Sequence, residues 1–533
     1  MVSRLEYQLA AKRVSKEEDM TRRTFDWIRH HRQTQPGKVG LVDLHSQRHF
    51  TYRELDDRID ALSRHIREKF DLKPNDCIGV LCHNSTDVME IQFACRRLPA
   101  RFLPLNWRLT ASELEYVLQD ADVKVLYIGE EFETTGRAAA AAARVPHQQS
   151  IRDGRDSDYE RGIAEKIGQG LLEIPELHED AVWTIMYTSG TTGRPKGAMI
   201  TYGMVDCLTS HCVAKVGLST RSVSLTILPM FHISGLNTYA NPVVQMGGLN
   251  YVMRTFDARL CLDLIANTKT GLSHFMGVPT HFLMMSELPE FANARFDHLE
   301  SVISGGQAVP IPMVEMFADK GMCLQQGWGM TEVCSLTILL PKEDVVRKRG
   351  SVGLPVMNAE LRIVDADLYD VPPGTVGELL VRGPQVSPGY LRKPEVNKTQ
   401  WVDEWFRTGD AFRVDDEGYY YIVDRWKDMY ISGGENVYPA EVERVIVELD
   451  EVLEVAVVGI PHAKWGEVGR AFIVPRQGAQ RLTKSTVAAH CRLKLAGYKV
   501  PAEIVFVQDM PHTPAGKVMK HALSREPIDQ SVD

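Results

Sequence analysis

An eleven-residue segment, residues 187–197, constrains this chain more than any other feature. It reads Tyr-Thr-Ser-Gly-Thr-Thr-Gly-Arg-Pro-Lys-Gly and directly follows the apolar run from Ala181 to Tyr187. The backbone N–H groups of a glycine-rich loop can point toward one centre and bind an anion there. The serine and threonine hydroxyls and the ammonium group of Lys196 add further donors. The segment therefore predicts a loop that binds an oligophosphate.

This loop differs from the Walker A motif, because Pro195 stands where that motif has glycine before its lysine. A glycine-rich surface hairpin is the alternative, since short Gly/Ser/Thr runs usually form one. Eleven consecutive positions of this composition favour the phosphate loop. Its candidate binding residues are Thr188, Ser189, Gly190, Thr191, Thr192, Gly193 and Lys196.

The length of 533 residues predicts at least two domains. Short apolar runs alternate with amphipathic stretches through the first two thirds of the chain, which is typical of α/β layering. After Asp424 the pattern restarts, with predicted helices near residues 439–449 and 485–494 and strands near 455–458 and 504–507. We expect an α/β protein with a large N-terminal domain of layered α/β subdomains (1–423) and a small α+β C-terminal domain (424–533).

Some individual elements are also predictable. Cys77 to Cys82 reads as a buried strand, and Asp87 to Arg97 as the helix after it. Ser112 and Glu115 have the spacing of a capping box at a helix start. The region from the alanine-rich run at 138–143 to about Gly170 reads as a surface excursion or irregular linker. Residues 415–424 predict a hairpin with its turn at 417–418.

Composition excludes several classes of protein. A net charge of −9 argues against a general nucleic-acid or membrane-surface binder. The nine cysteines form no C-x-x-C pair and no zinc-like cluster, as expected for a reduced compartment. No apolar stretch is long enough to span a bilayer, and the first sixteen residues lack the apolar core of a signal peptide. We expect a soluble, cytoplasmic protein without an integral membrane segment.

Two later segments carry candidate site residues. His232 follows an apolar run, at a strand end or a helix start, although a single histidine is more often structural. In residues 326–332 Trp328 lies between two glycines, which would let a flat ligand approach the backbone. Thr331 could hold a phosphate oxygen and Glu332 a magnesium ion. The alternatives are a core aromatic for Trp328 and a solvated or capping carboxylate for Glu332.

Four segments toward the C-terminus complete the set. Asp410 lies in a Thr-Gly-Asp turn and could accept from paired ribose hydroxyls, although such residues are more often simple turn residues. Residues 424–428 and 431–437 place charges and glycines beside the predicted domain boundary, where a hinge and a ligand-facing loop would be useful. Lys517 projects from the turn at 511–517, and by itself it would read as a solvated lysine.

The identity and order of these segments closely resemble the ANL superfamily of adenylate-forming enzymes, which includes acyl-CoA synthetases, adenylation domains of peptide synthetases and luciferases. The resemblance extends from about residue 24 to residue 523. The matching segments are 104–109, 187–197 (phosphate loop), 231–232 (acyl-side motif), 326–332 (adenine and magnesium motif), 407–410 (ribose motif), 424–443 (hinge and thiol loop) and 511–520 (catalytic-lysine motif).

The resemblance implies an AMP-forming acid–CoA ligase that uses ATP, Mg²⁺ and CoA. A carboxylate would attack the α-phosphorus of ATP to give an acyl-adenylate, and CoA would then displace AMP after a rotation of a mobile C-terminal domain. The implied catalytic residues are Lys517, His232, Thr331 and Glu332, with Glu332 also as the metal ligand. The implied cofactor-binding residues, besides those of the phosphate loop, are Gly305, Gln326, Gly327, Trp328, Asp410, Arg425, Lys427, Ser432, Gly433, Gly434 and Asn436.

Two residues depart from the family pattern. Trp328 replaces the usual tyrosine of the adenine motif, which keeps a stacking face and loses a phenol hydroxyl. Ile431 stands where many luciferases and hydroxycinnamate ligases have lysine, which argues against both of those activities. General similarity favours a medium- or long-chain fatty acid as the substrate, with an aryl or arylpropenoic acid next.

Other functions stay open at this level. The acceptor could be a separate carrier protein in place of free CoA, or the protein could be a non-catalytic sensor of a nucleotide or acyl-CoA. No Gly-x-Ser-x-Gly segment occurs, which disfavours a serine hydrolase. A homodimer is compatible with the sequence. The predicted acyl pocket contains Phe231, Ile233, Leu236, Asn237, Tyr239, Ser304, Gly305, Gly306 and Gln307, with Asn237 and Gln307 as candidates for recognising a polar group.

Overall fold

The computed structural model describes residues 22–188, 194–426, 428–432, 435–462, 464–476, 478–479, 481–512 and 518–523. Its helices, in chain order, are α1 Trp27–Thr34, α2 Tyr52–Phe70, α3 Thr86–Arg97, α4 Ala111–Ala121, α5 Glu133–Ala142, α6 Asp158–Lys166, α7 Tyr202–Val216, α8 Ala240–Gln245, α9 Ala258–Ala266, α10 Pro279–Ser286, α11 Ile311–Ala318, α12 Pro394–Gln400, α13 Pro439–Ile446, α14 Lys484–Lys494 and α15 Lys520–Leu523.

The strands of the described residues are β1 Val39–Asp43, β2 His49–Thr51, β3 Cys77–Leu81, β4 Arg101–Pro104, β5 Val123–Gly129, β6 His147–Ile151, β7 Val182–Thr188, β8 Lys196–Thr201, β9 Val223–Thr226, β10 Leu249–Val252, β11 His274–Gly277, β12 Ser301–Ser304, β13 Leu324–Trp328, β14 Ile338–Leu339, β15 Leu354–Pro355, β16 Glu360–Val364, β17 Gly377–Arg382, β18 Trp401–Val402, β19 Trp405–Val414, β20 Tyr420–Arg425, β21 Tyr430–Ser432, β22 Glu435–Val437, β23 Val452–His462, β24 Gly466–Pro475 and β25 Glu503–Phe506.

Four sheets organise these strands. The largest has the order β15-β14-β13-β12-β11-β9-β10-β1-β2, and a second has the order β6-β5-β3-β4-β7-β8. A third sheet contains β16, β17, β19, β18 and β20, and the fourth, β22-β21-β24-β23 with β25 on β24, belongs to the C-terminal part of the chain. Parallel pairs dominate the first two sheets, as expected when helices connect the strands. The predicted α/β class is therefore confirmed.

The buried core follows from the sequence pattern. All five residues of β3 are buried, as its continuous apolar run requires for a strand covered on both faces. Trp183 on β7 packs edge-on against Trp27 and Phe93, with ring centroids 5.3 and 5.4 Å away. The predicted helix after β3 is present, and the predicted turn at 417–418 joins β19 to β20, although the first strand of this hairpin lies before residue 415. Across the residues the structure covers, no helix combines the length and apolar character needed to traverse a lipid bilayer.

Two local predictions are wrong. The region predicted as an irregular linker contains the second half of α5, then β6 and α6, and β6 adds a parallel strand to β5. Its sequence, His-Gln-Gln-Ser-Ile, lacks an apolar run because β6 is the edge strand of its sheet. The capping box of α4 is formed by Thr110 and Glu113, and not by Ser112 and Glu115, because the helix begins at Ala111.

Candidate functional site

The predicted site residues gather where parallel strands end. Strands β9, β11, β12 and β13 run parallel to one another, so their carboxyl ends share one edge of the large sheet. Ligands of open α/β sheets bind at this edge. The segments that leave it carry the predicted residues His232 (after β9), Gly305 (after β12), and Thr331 and Glu332 (after β13), while Gln326, Gly327 and Trp328 form the end of β13 itself.

Close packing at the strand ends requires glycine. A Cβ atom on Gly305 would lie 2.8 Å from the backbone oxygen of Gly327 on the neighbouring strand. A Cβ atom on Gly329 would lie 1.2 Å from the backbone oxygen of Ser335, so the chain after β13 folds directly over Gly329. The side chain of Gln326 is also engaged, since its Oε1 accepts from the backbone N–H of Val309 at 3.2 Å.

Asp410 connects the tryptophan of the adenine motif to an arginine. The indole Nε1–H of Trp328 donates to Asp410 Oδ2 at 2.9 Å, and Nη1 of Arg425 lies 2.9 Å from Asp410 Oδ1. Asp410 and Arg425 are direct partners in the antiparallel pair β19–β20. Both carboxylate oxygens are thus oriented by protein groups, and each retains a lone-pair direction for a ligand hydroxyl.

Tyr390 joins the phosphate-loop strand to the magnesium motif. Its hydroxyl donates to Glu332 Oε1 at 2.6 Å, and Lys196 Nζ lies 4.6 Å from the centre of its ring. All three side chains are buried. Burial and the neighbouring Glu332 carboxylate raise the pKa of Tyr390, so the phenol stays protonated and remains the donor.

Tyr390 is absent from the residues predicted from the sequence. It follows the dipeptide Pro388-Gly389, a signal that predicts only a turn. Gly389 has φ of +140°, a conformation that favours glycine, and Asn397 Oδ1 accepts from the backbone N–H of Tyr390 at 2.9 Å. The same turn approaches Glu332 directly, because the backbone N–H of Ser387 donates to the Glu332 carbonyl at 2.8 Å.

His232 lies just before an irregular helix, in agreement with its predicted place at a helix start. Its Nδ1 is 2.7 Å from the Ser234 hydroxyl oxygen and accepts from the backbone N–H of Ser234 at 3.3 Å. A neutral ring that accepts at Nδ1 carries its proton on Nε2. The helix that follows is a π-helix over Ser234–Thr238, a form that is rare and frequently found at functional sites.

Tyr239 does not lie with the other predicted pocket residues. Its hydroxyl donates to Ser301 Oγ at 3.0 Å, and its ring packs edge-on against His274 at 5.4 Å. Ser301 and His274 begin β12 and β11, so Tyr239 is buried at the amino ends of these strands. Gly305 follows the carboxyl end of β12, at the opposite edge. Tyr239 therefore supports the core, and its predicted place in the acyl pocket is wrong.

The hinge and thiol-loop segment (424–443) places two carboxylates near Lys520 of the catalytic-lysine motif. Asp424 accepts from the backbone N–H groups of Arg425 and Ala440, both at 2.7 Å. Lys520 Nζ lies 2.7 Å from Glu443 Oε1. Burial raises the pKa of Asp424, an effect that the nearby charge of Lys520 opposes. Burial lowers the pKa of Lys520, but the charges of Glu443 and Asp424 outweigh this and raise it above its usual value.

Some predicted residues can be placed only in part. Thr188 pairs with Lys196 across β7 and β8, so these two residues hold the ends of the predicted phosphate loop. Ser432 is buried in β21. Asn436 is opposite Ile431 in the backbone register of β22 and β21. The predictions for Ser189, Gly190, Thr191, Thr192, Gly193, Lys427, Gly433, Gly434 and Lys517 lie outside the described residues.

The described side chains could hold Mg²⁺ only if the phosphates of a nucleotide supplied further ligands. Within the described ranges no three His, Cys, Asp or Glu side chains cluster as a metal site would require. Mg²⁺ commonly binds through one or two carboxylates and the phosphates of its substrate. A single buried carboxylate at Glu332, beside the strand that follows the phosphate loop, is suited to that arrangement.

Comparison with known proteins agrees with this geometry. The sequence profile of the AMP-binding enzyme family matches residues 28–391, and that of the AMP-binding enzyme C-terminal domain matches residues 441–517. A feruloyl-CoA synthase of Amycolatopsis sp is 35% identical over 89% of this chain and 93% of its own length. An indoleacetate–CoA ligase of Aromatoleum aromaticum is 34% identical over 93% and 96%, and a long-chain-fatty-acid–CoA ligase of Mycobacterium tuberculosis is 34% identical over 85% and 88%.

Solved structures show the same similarity. ATP-bound MatB from Rhodopseudomonas palustris superposes with a TM-score of 0.85 at 28% identity, over 94% of this chain and 98% of that one. The o-succinylbenzoate CoA synthetase MenE of Bacillus subtilis, in complex with ATP and a magnesium ion, gives 0.84 at 27% identity over 94% and 100%. The chain belongs to the AMP-binding enzymes, in the acyl-CoA synthetase branch of the ANL superfamily.

Proposed function

We propose that this protein is an AMP-forming ligase that joins a carboxylic acid with an apolar acyl part to CoA. One observation carries the proposal. A continuous set of side-chain contacts runs from Lys196 through Tyr390 to Glu332, and a second runs from Trp328, on the same segment as Glu332, through Asp410 to Arg425. The groups that we assign to phosphates, magnesium and ribose therefore belong to two contact chains that meet on the segment 328–332.

In the first step the acid would attack the α-phosphorus of ATP and release pyrophosphate. Lys196 and the N–H groups of the phosphate loop would hold the phosphates, and Asp410 the ribose hydroxyls. His232, with Nδ1 engaged by Ser234, would present its Nε2–H to the acid and orient it. Magnesium, held by Glu332, would screen the phosphate charge. Lys517 would stabilise charge that develops at the α-phosphorus, where loss of one such group costs about 100- to 1,000-fold in rate.

In the second step the CoA thiol would attack the carbonyl of the acyl-adenylate and release AMP. We place the hinge for this change at Asp424, the boundary between residues 1–423 and 424–533. Asp424 accepts from the N–H of Arg425 on β20, a strand that pairs with β19, and from the N–H of Ala440 on α13. Ser432 and the glycines at 433 and 434 would border the path of the pantetheine arm, where an absent side chain leaves space.

For the acid, we propose a medium- or long-chain fatty acid or an aryl acid. Ile233 and Leu236, which follow His232, are buried and apolar. Relatives of almost equal identity are named for ferulate, indoleacetate and long-chain fatty acids. Each of these acids combines one carboxylate with a largely apolar body, and this shared chemistry is the basis of the proposal.

The test is AMP release that depends on ATP, Mg²⁺ and CoA, measured across a panel of fatty, arylalkanoic and arylpropenoic acids. We expect AMP and an acyl-CoA to form in equal amounts with at least one acid. The Lys517→Ala variant is the matched control, because it should lose adenylation but retain attack of CoA on supplied acyl-adenylate. Pyrophosphate release without an acyl-CoA product would instead favour a carrier-protein acceptor. ATP binding without turnover of any acid would favour the sensor and contradict the proposal.

A further inference from the structure

Two unusual backbone segments meet between the acid side and the nucleotide side of the site. The π-helix Ser234–Thr238 follows His232. Cys334 and Ser335, which follow Glu332, have φ angles of +57° and +91° although neither is glycine. Residues with a side chain adopt this left-handed region only when surrounding contacts hold them there, and such residues concentrate at functional sites.

Side-chain contacts join the two segments. Asn237 Nδ2 donates to Cys334 Sγ at 3.4 Å, and the hydroxyl oxygens of Thr238 and Ser335 are 2.7 Å apart. Asn241 Nδ2 donates to Asn237 Oδ1 at 2.8 Å, which points the Asn237 amide nitrogen toward Cys334. All five side chains are buried. We name the pairs Asn237–Cys334 and Thr238–Ser335 the 237–335 clamp.

The clamp explains why residues 334 and 335 carry side chains, although glycine would adopt their backbone conformation without strain. Glycine at 334 or 335 would relax the backbone but would also delete the group that contacts the π-helix. The backbone of Cys334 and Ser335 is hydrogen-bonded to the segment that carries Glu332. Cys334 N–H donates to the Thr331 carbonyl at 3.1 Å, and Ser335 N–H donates to the Met330 carbonyl at 3.1 Å. A shift of the clamp would therefore shift the turn that carries Glu332.

We propose that the 237–335 clamp is a positioning device that fixes Glu332 relative to His232, and so sets the magnesium-dependent part of ATP binding from the acid side of the site. This inference rests on the proposed function, because it assumes that Glu332 receives Mg²⁺ with the ATP phosphates. The clamp residues act through Glu332 and do not themselves contact the metal. Thr238 is the most informative residue to substitute, because it lies on the π-helix after His232 and contacts Ser335 on the segment after Glu332.

The test is calorimetric titration of the intact protein with ATP plus Mg²⁺, with ATP plus EDTA, and with AMP. For Thr238→Val, which keeps the side-chain shape and removes the hydroxyl, we expect about tenfold weaker binding of ATP with Mg²⁺. Binding of AMP and of ATP in EDTA should stay within about twofold of the wild type. Thr238→Ser, which restores a hydroxyl, should recover the magnesium-dependent gain.

Three further variants make the result decisive. Ser335→Ala removes the partner hydroxyl from the other side, and the double variant with Thr238→Val should lose no more than either single one. Thr209→Val is the matched control, because Thr209 is a buried threonine whose hydroxyl also bonds a side chain, Gln245 Oε1 at 2.5 Å. It should leave all three affinities unchanged.

Each other outcome contradicts the inference. Equal weakening of ATP with Mg²⁺, ATP in EDTA and AMP would mean that the clamp only supports the fold. An unchanged magnesium-dependent gain in both Thr238→Val and Ser335→Ala would mean that it does not position Glu332. Both of these outcomes concern only the clamp, and the proposed function is still supported if the wild-type protein binds ATP. A wild type that binds neither ATP nor AMP would overturn the proposed function together with the inference.

Discussion

Trp328 donates its indole N–H to Asp410 Oδ2 over 2.9 Å, and this bond joins the end of β13 to β19 of a different sheet. A tyrosine at this position would present a hydroxyl at a different point from the indole nitrogen. The indole therefore supplies a donor of its own, aimed at the predicted ribose ligand Asp410. Trp328 has only 5% of its surface exposed, and its ring also packs edge-on against Phe412 at 5.3 Å.

The Trp328→Phe variant should weaken nucleotide binding without abolishing it. Phenylalanine keeps an aromatic face but leaves Asp410 without the indole donor, and loss of a hydrogen bond to a charged group costs about 1.5–3 kcal/mol. We expect AMP and ATP affinities to fall by about tenfold or more in calorimetric titrations. Trp405→Phe, at a tryptophan that stacks with Arg362 and Arg382, is the control and should bind like the wild type. Normal affinity in Trp328→Phe would contradict this role.

The Tyr390→Phe variant isolates the bond between Tyr390 and Glu332. The ring near Lys196 is retained, while the 2.6 Å hydrogen bond to Glu332 is lost. Because a buried carboxylate without its donor is less well held, we expect the apparent KM for Mg²⁺ to rise and the adenylation rate to fall about tenfold or more. The measurement is ATP–pyrophosphate exchange against magnesium concentration.

The control for this variant is Tyr421→Phe, which loses a hydroxyl bonded to Asp415 Oδ2 at 3.1 Å, away from Glu332. It should leave the magnesium dependence unchanged. A Tyr390→Phe enzyme with the wild-type magnesium profile would show that Glu332 needs no help from the phenol.

Elements with a strong hydrophobic pattern could be predicted, and elements without one could not. The strand Cys77–Leu81 is apolar throughout because helices cover both of its faces, so its sequence alone reveals it. The strand His147–Ile151 is missed because it forms the edge of the same sheet, where polar residues are tolerated. The start of α4 is displaced by two residues because Thr110 and Ser112 can both cap a helix, and only packing selects one of them.

The candidate site shows the same division. Lys196, Trp328 and Glu332 come from short segments whose composition is unusual by itself, whereas Asp410 lies in a common Thr-Gly-Asp turn and gains its predicted role from the resemblance to the ANL superfamily. Tyr390 contributes through a bond to Glu332, 58 residues earlier in the chain, and nothing near residue 390 records that partner. The place of Tyr239 shortly after His232 in the sequence predicts that it lies in the pocket. The π-helix changes the direction of the side chains that follow it, and no local sequence signal reports such a helix.

Gly329→Ala should disrupt the loop that carries Glu332. The added methyl group would lie 1.2 Å from the backbone oxygen of Ser335, a distance that no side-chain adjustment can relieve. We expect loss of ATP–pyrophosphate exchange by at least about 100-fold, since misplacing a catalytic group by about 1 Å has that effect. Gly37→Ala is the control, because a methyl group there meets no described atom within 4 Å and Gly37 does not have a positive φ. Near-normal exchange in Gly329→Ala would contradict the close approach of Ser335.

His211 should make the protein less stable in mild acid. It is fully buried, with Nε2 3.2 Å from Cys207 Sγ, and burial lowers its pKa to about 4. The unfolded chain takes up this proton near pH 6.5, so between about pH 6.5 and 4 it binds more protons than the folded protein. Stability therefore falls as the pH falls through this window, by roughly 3 kcal/mol at its lower end.

The His211→Gln variant tests this pH dependence. Glutamine cannot be protonated, so urea denaturation at pH 7, 5.5 and 4.5 should show a shallower loss of stability than in the wild type. His30→Gln, at an exposed histidine on α1, should keep the wild-type slope. An unchanged slope in His211→Gln would mean that other groups cause the acid sensitivity.

Asp424 should control the second half-reaction more than the first. The proposed change of domain orientation requires rotation of its backbone, and proline fixes φ near −65° and removes the N–H. We therefore expect Asp424→Pro to slow thioester formation from supplied acyl-adenylate far more than ATP–pyrophosphate exchange.

The Asp424→Ala variant separates the contribution of the carboxylate from that of the backbone. Alanine loses the carboxylate that accepts from Arg425 and Ala440 but leaves the backbone free to rotate. It should lower the unfolding midpoint while sparing the balance between the half-reactions. Equal losses in both half-reactions for Asp424→Pro would place the hinge elsewhere.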